Sequence, residues 1–209
     1  MSKLRSFSAP AHVVVAGANG GIGSALVDTL LDDPRVGRVT ALSRKPSDRQ
    51  HERLQFATID FADEASIAAA AADCGDNIDL VIVATGILHR DPDIRPEKRL
   101  ADVDGPTMAE VLHINTIGPA LLAKHFLPRL RRDAKSAFAP ISARVGSISD
   151  NRLGGWASYR ASKAALNMLM RTFSIEQART NPQSLIVTLH PGTTDTALSK
   201  PFQRNVPEG

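Results

Sequence analysis

A chain of 209 residues, 43% of them apolar, is long enough to bury one sizeable core and too short for two, so a single domain over residues 1–209 is expected. The 25 basic and 22 acidic residues are mixed along the chain and leave a net charge of +3; with one Tyr, one Trp and seven Phe there is no basic, aromatic-lined surface, and nucleic acid is excluded as a partner. No apolar run approaches the roughly 20 residues a bilayer requires, residues 1–11 lack a signal-peptide pattern, and the one cysteine, Cys74, can form no internal disulfide. A cytoplasmic protein with no membrane partner is expected.

Short β-rich runs alternate with helical patterns, and Gly, Pro and Asp mark the turns, which is the arrangement of βαβ units around a parallel sheet. Strands are predicted at residues 12–16, 38–42, 54–59, 79–84, 137–142 and 185–189. Helices are predicted at 21–31, 64–73, 107–130 and 157–179, while the charged stretch 89–105 reads as a surface loop. Arg129, Arg131 and Arg132 close the third helix, where cations suit the negative end of its dipole. After residue 189 no further strand-like run follows, so the C-terminal end is expected to be short or to lack a segment. His89, His113, His125 and the other histidines show no metal-ligand spacing, and no metal is expected.

The first strand runs into AGANGGIG, which places Gly17, Gly21 and Gly23 in a G-x-x-x-G-x-G pattern that opens a helix. Glycines there permit a tight turn and let backbone approach a pyrophosphate, and the helix N-terminus supplies free N–H groups. Gly17, Asn19, Gly20, Gly21, Ile22 and Gly23 are therefore the candidate cofactor cradle. The second strand ends in ALSRKP, with no acidic residue to hold a ribose 2′-hydroxyl. Ser43 and Arg44, with Lys45 beside them, suit a 2′-phosphate instead, because a guanidinium makes forked bonds to phosphate oxygens. NADP(H) is the expected cofactor.

Residues four apart share a helix face, so Tyr159 and Lys163 in SYRASKAAL point into one site. A free phenol, with a pKa near 10, is a poor acid or base at neutral pH. A cation ~4 Å away at an effective dielectric of ~20 favours phenolate by up to about 4 kcal/mol, and a third of that lowers the phenol by about one unit. Asn115 lies mid-helix with Pro119 four residues on; proline has no N–H, so the Asn115 carbonyl loses its usual partner and a kink is predicted.

AGANGGIG, Asn115 in HINTIG, YRASK and HPGTTDT, in that order over nearly the whole chain, resemble the short-chain dehydrogenase/reductase superfamily. GSISDNRLGGW ahead of YRASKAALN is similar to its carbonyl reductase branch related to sniffer and the C-factor proteins. The resemblance implies an α/β, doubly wound parallel sheet (Rossmann fold) and hydride transfer to or from a nicotinamide. It implies Tyr159 as acid/base, Lys163 on the nicotinamide ribose lowering the tyrosine, and the Asn115 carbonyl holding a water that links the lysine to solvent. It further implies Asp60 and the adjoining Phe61 at the adenine, Ala84, Thr85 and Gly86 against the ribose, and Pro191, Gly192, Thr194 and Thr196 placing the nicotinamide. VATG here departs from the family's N-N-A-G and loses its asparagines. His190, next to Pro191, reads as a strand-end residue or as a neighbour of the nicotinamide.

The family places a serine three residues before a glycine at the end of the fifth strand, and in ISARVGS that slot is Ala143. Ser142 and Ser147 remain as candidates for the hydroxyl that orients the carbonyl, Ser142 by its strand-end place and Ser147 by its separation from Tyr159. The expected activity is NADPH-dependent reduction of a ketone or aldehyde, with Tyr159 as proton donor, a small-molecule carbonyl or alcohol as partner, and assembly as a homodimer or homotetramer. Ala143 and the short C-terminus keep open a non-catalytic NADP-binding protein with a redox-sensing or signalling role. The sugar-nucleotide epimerase and dehydratase branch shares Y-x-x-x-K but carries a C-terminal sugar-binding part that this sequence lacks.

Overall fold

The computed structural model describes residues 3–192 and residue 194. Its strands are β1 (Ala11–Ala16), β2 (Val36–Ser43), β3 (Leu54–Thr58), β4 (Leu80–Val83), β5 (Ser136–Pro140) and β6 (Ser184–Ile186). They form one parallel sheet in the order β3-β2-β1-β4-β5-β6, the doubly wound order expected. The inner strands β1, β4 and β5 are covered on both faces and buried at nearly every residue, whereas the edge strands β3 and β6 are partly exposed.

Successive side chains of a strand point to opposite faces, and the core divides accordingly. Val13 and Val15 of β1 pack with Val39, Ala41, Leu80 and Ile82 against Val27, Leu30 and Leu31 of α1 (Gly21–Leu31). Val14 and Ala16 pack with Leu42, Val81, Val83 and Phe138 on the other face, under α2 (Glu64–Cys74), α4 (Gly118–Phe126) and α5 (Ala157–Thr180). From these helices Ile67, Leu122, Phe126, Leu166 and Met170 enter the core with 2% exposure or less. On α5 the buried positions 158, 162, 166 and 170 recur every fourth residue, one stripe on one face.

Two expectations require correction. The helix predicted over 107–130 is interrupted: α3 (Gly105–Leu112) passes into a π turn over His113–Ile117, where the Gly118 N–H bonds the carbonyl of His113 five residues back. Only then does α4 begin, with Pro119 in its first turn, and a 3₁₀ turn over Leu127–Arg129 ends it. Pro119 cannot donate to the carbonyl four residues behind it, and the helix meets that gap by taking one extra residue per turn rather than by a simple kink. The stretch 89–105 is also more than surface: Ile94 is 2% and Glu97 6% exposed, while Leu100 in the same stretch stands in solvent. Strand limits move by up to three residues, the most at the end of β6, although Ser142 still donates its N–H to the Leu189 carbonyl beyond β5.

At the N-terminal end of the strands, away from the glycine turn, Asp79 is wholly buried and accepts the His12 N–H at 2.8 Å and Arg131 Nε at 2.6 Å. That hydrogen bond holds the Arg131 guanidinium above its usual value. The His12 ring meets Thr40 Oγ1 at 2.9 Å. Burial first, and the Arg38 charge second, push His12 down from 6.5 to about 4. The folded state therefore binds this proton less readily than the unfolded chain. Its contribution to stability is complete above pH 6.5 and is lost progressively as pH falls through the window down to about 4. Since the ring is partly exposed, the loss expected is about 2 kcal/mol. Urea unfolding at pH 7 and pH 4 checks this: His12→Gln should flatten the pH slope, and a variant with the wild-type slope would show that another group is responsible.

Candidate active site

The strand order reverses between β1 and β4, and their C-terminal ends open a crevice there. Gly17 leaves β1 with φ +83°, and a Cβ on it would lie 2.9 Å from the Ala84 carbonyl carbon and the Thr85 nitrogen. Gly23, one turn into α1, is pressed against the Gly17 carbonyl, so a side chain there would strike backbone. Gly20 caps α1 without a side chain, its N–H turned back to Gly17 at 3.0 Å, and the first turn, with Gly21 and Ile22, holds no acid. The turn is thus packed backbone against backbone, and the start of α1 receives no side-chain cap. The Thr85 hydroxyl at the β4 end is buried without a hydrogen-bond partner.

Along the β2 rim, Asn19 Nδ2 donates to Ser43 Oγ at 3.2 Å and to the Lys45 carbonyl at 2.9 Å. Ser43 is 8% exposed and directs its hydroxyl to that same carbonyl, so it shapes the turn rather than facing outward. Arg44 is exposed and has no ion-pair partner among the described residues. Arg49, which sequence reasoning missed, bonds Ser24 Oγ at 3.3 Å and pairs with Asp28 on α1. Asp60 is exposed beyond β3, with Oδ1 accepting the Ala62 N–H at 3.0 Å. The Phe61 ring lies flush on Gly118, where no side chain fits.

Tyr159 and Lys163 share the inner face of α5. Lys163 is 3% exposed and donates from Nζ to the Ile141 carbonyl at 2.9 Å, and the ammonium stands 5.8 Å from the Tyr159 ring centre. Burial pushes the lysine down to about 8 and the phenol up. The phenol's direction is opposite to the lowering expected from the lysine, because desolvation is the cause that acts on each group in this geometry. Gly146 holds the neighbouring turn against α5: a Cβ there would meet Lys163 Cβ at 2.8 Å.

Asn115 is fully buried in the π turn, and its side chain does what sequence reasoning assigned to no group. Oδ1 accepts the Ile87 N–H at 2.8 Å, while Nδ2 donates to the Ile87 carbonyl at 2.8 Å and to Ser162 Oγ at 3.1 Å. Thr116 Oγ1 adds a bond to the Ser162 carbonyl at 2.8 Å. The π turn thereby ties the loop after β4 to the helix that carries Tyr159. Gly86 sits at this junction, where a Cβ would be 3.4 Å from Asn115 Oδ1 and 3.6 Å from Lys163 Nζ.

The two candidate serines differ. Ser142 is 6% exposed and donates its hydroxyl to Asn167 Oδ1 on α5 at 2.7 Å, a partner separated by 25 residues and given by no sequence signal. Ser147 is half-buried, with its hydroxyl 3.4 Å from that of Ser149. Ala143 between them is half-buried in extended backbone. Pro191 and Gly192 are exposed beyond the Ile141–Leu189 bridge, with Thr194 half-buried; Thr196 lies outside the described residues.

Fold and crevice together define a doubly wound α/β protein of the dinucleotide-binding class. The chain belongs to the short chain dehydrogenase family, which it matches over residues 11–207. It is 40% identical over 103 residues to C-signal of Myxococcus xanthus, 49% of this chain and 60% of that one. The matches to C-signal and to a second curated relative each span 60% of the relative's length. Among solved structures it is similar to an NADPH-bound carbonyl reductase from chicken fatty liver, with TM-score 0.80, 31% identity and coverage of 93% of this chain and 80% of that one. It is also similar to a short-chain dehydrogenase/reductase of Burkholderia multivorans with bound NADP, with TM-score 0.76, 28% identity and coverage of 90% and 81%. No helix among the described residues is long and apolar enough to cross a membrane.

Proposed function

We propose that this chain reduces a ketone or aldehyde carbonyl with NADPH, Tyr159 donating the proton. The observation that carries the reading is Lys163: an amine buried to 3% exposure, on the tyrosine's helix face and beside Gly86 at the crevice. The glycine cradle, the uncapped start of α1 and the partnerless Thr85 hydroxyl fit a dinucleotide, and the free Arg44 guanidinium fits its 2′-phosphate. When bound, the cofactor supplies a hydride. Tyr159 holds the proton that goes to the carbonyl oxygen. Lys163, brought down to about 8, is mostly protonated at pH 7 yet close enough to neutrality to resupply the phenol. Asn115 fixes the wall of the crevice through Ile87, and its carbonyl is the proposed exit of the proton path.

A fluorescence titration with NADPH and, in parallel, NADH tests this reading. NADPH should bind more tightly by about ten-fold or more, and Arg44→Ala should remove most of the difference, as expected for loss of one charge-assisted phosphate contact. Equal binding of both cofactors by the wild type would sink the NADP assignment.

A second reading, a non-catalytic NADP-binding protein, is favoured by one observation: Ala143 fills the family's serine slot while the Ser142 hydroxyl is engaged with Asn167. Ala143→Ser separates the two. For a reductase lacking its carbonyl-polarising hydroxyl, the variant should raise kcat/KM for a reactive diketone by about ten- to a hundred-fold. An unchanged rate would mean that Ser147 or Ser142 already serves, and no turnover by either protein with NADPH bound would favour the second reading.

A further inference from the structure

The helix that presents Tyr159 begins in an unusual way. Trp156 occupies its N-cap at φ 54°, and no side chain of its own caps the first turn. A helix start leaves free N–H donors that need acceptors when buried. Here the acceptor comes from 61 residues upstream: the Glu97 carboxylate takes the Ser158 N–H at 3.2 and 3.3 Å and also the Ser158 hydroxyl. The Glu97 backbone carbonyl takes the Trp156 N–H at 2.6 Å. Gly155 turns the chain into this contact at φ +65°, a left-handed backbone that favours glycine. Glu97 is 6% exposed and has no ion-pair partner among the described residues, so the positive end of α5 balances its charge. Glu97, Ser158 and Tyr159 line one small pocket with Leu88, Ile94 and Val111.

We propose that Glu97 is a positioning residue for Tyr159, capping α5 from the loop 89–105 and thereby making the geometry of the proton donor depend on the seating of that loop. The role rests on the reading of Tyr159 as proton donor. A carboxylate fixed by donors at the first turn sets where the next residue's ring stands, and Trp156, bound to the same residue, meets the Tyr159 ring edge-on at 6.3 Å. Among the described residues, the charged groups around the phenol are Lys163 on its own helix and Arg95 and Glu97 on the loop.

The test uses the full chain with two substitutions, Glu97→Gln, which keeps the acceptor and drops the charge, and Glu97→Ala, which drops both. Tyr159 is the one tyrosine and Trp156 the one tryptophan, so ultraviolet titration of the phenol and tryptophan emission each report a single residue. Glu97→Ala should lower kcat about ten-fold with NADPH affinity unchanged, shift Trp156 emission to the red and start phenolate formation at lower pH; Glu97→Gln should recover most of kcat and emission. Wild-type kcat, emission and phenol titration in both variants would overturn the proposal. If Glu97→Ala does not fold, Glu97→Gln decides through its phenol titration, which must move for the proposal to stand. A wild-type chain that binds NADPH but reduces no carbonyl would defeat the proposed reaction, while emission and phenol titration would still decide the placement of Tyr159 by Glu97.

Discussion

Replacing Tyr159 with Phe is expected to lower kcat for carbonyl reduction by about 10²- to 10⁴-fold, the usual contribution of a positioned proton donor, while leaving NADPH affinity within about three-fold. Phe keeps the ring, its edge contact with Trp156 and its packing on α5, and removes the hydroxyl alone. A fall in kcat without a change in cofactor binding separates lost chemistry from a distorted crevice. Residual activity near the wild-type level would mean that the proton reaches the carbonyl oxygen from another group, such as Ser147 or solvent.

The largest stability effect is expected at the opposite end of the sheet. Asp79→Ala should destabilise the fold by about 3–5 kcal/mol, because it strands the Arg131 guanidinium and leaves a buried backbone donor without an acceptor. Asp79 is wholly buried, whereas the Arg131 side chain is 22% exposed and lies 3.5 Å from Asp133, so the arginine has a partial refuge and the lower half of the range is favoured. Asp79→Asn retains an acceptor for the His12 N–H and should cost about half as much. Urea denaturation of both variants checks the ranking, and equal midpoints for Ala and wild type would show that the pair contributes nothing net.

What the sequence made legible was local or periodic. The glycine turn, the strands and the Tyr159–Lys163 spacing each depend on neighbours within a few positions, and the structure sets the turn against Ala84 and Thr85 and Lys163 beside Gly86. Pro119 announced a break in the helix but could not say that the chain would absorb it as a π turn, since that depends on what Asn115 meets across the fold. Glu97 and Asn167 were illegible: each finds its partner 61 and 25 residues away, and a lone Glu in a charged stretch carries no sign of its burial. The hydroxyl bonds of Ser43 to Asn19 and to the Lys45 carbonyl were likewise not legible, since they depend on how the glycine turn folds against the end of β2.

The π turn over His113–Ile117 also bears on how this segment can vary in length. One additional residue in a turn rotates everything after it by about 100° relative to an uninterrupted α-helix. Leu122 and Phe126 reach the core with that rotation included, and Asn115 reaches Ile87 from within the turn itself. Removing a single residue between 113 and 117 would therefore do more than shorten the helix: either α4 would turn its apolar stripe away from the sheet or Asn115 would leave the crevice wall. Core and crevice share one helical phase, so an insertion or deletion here cannot be neutral for both.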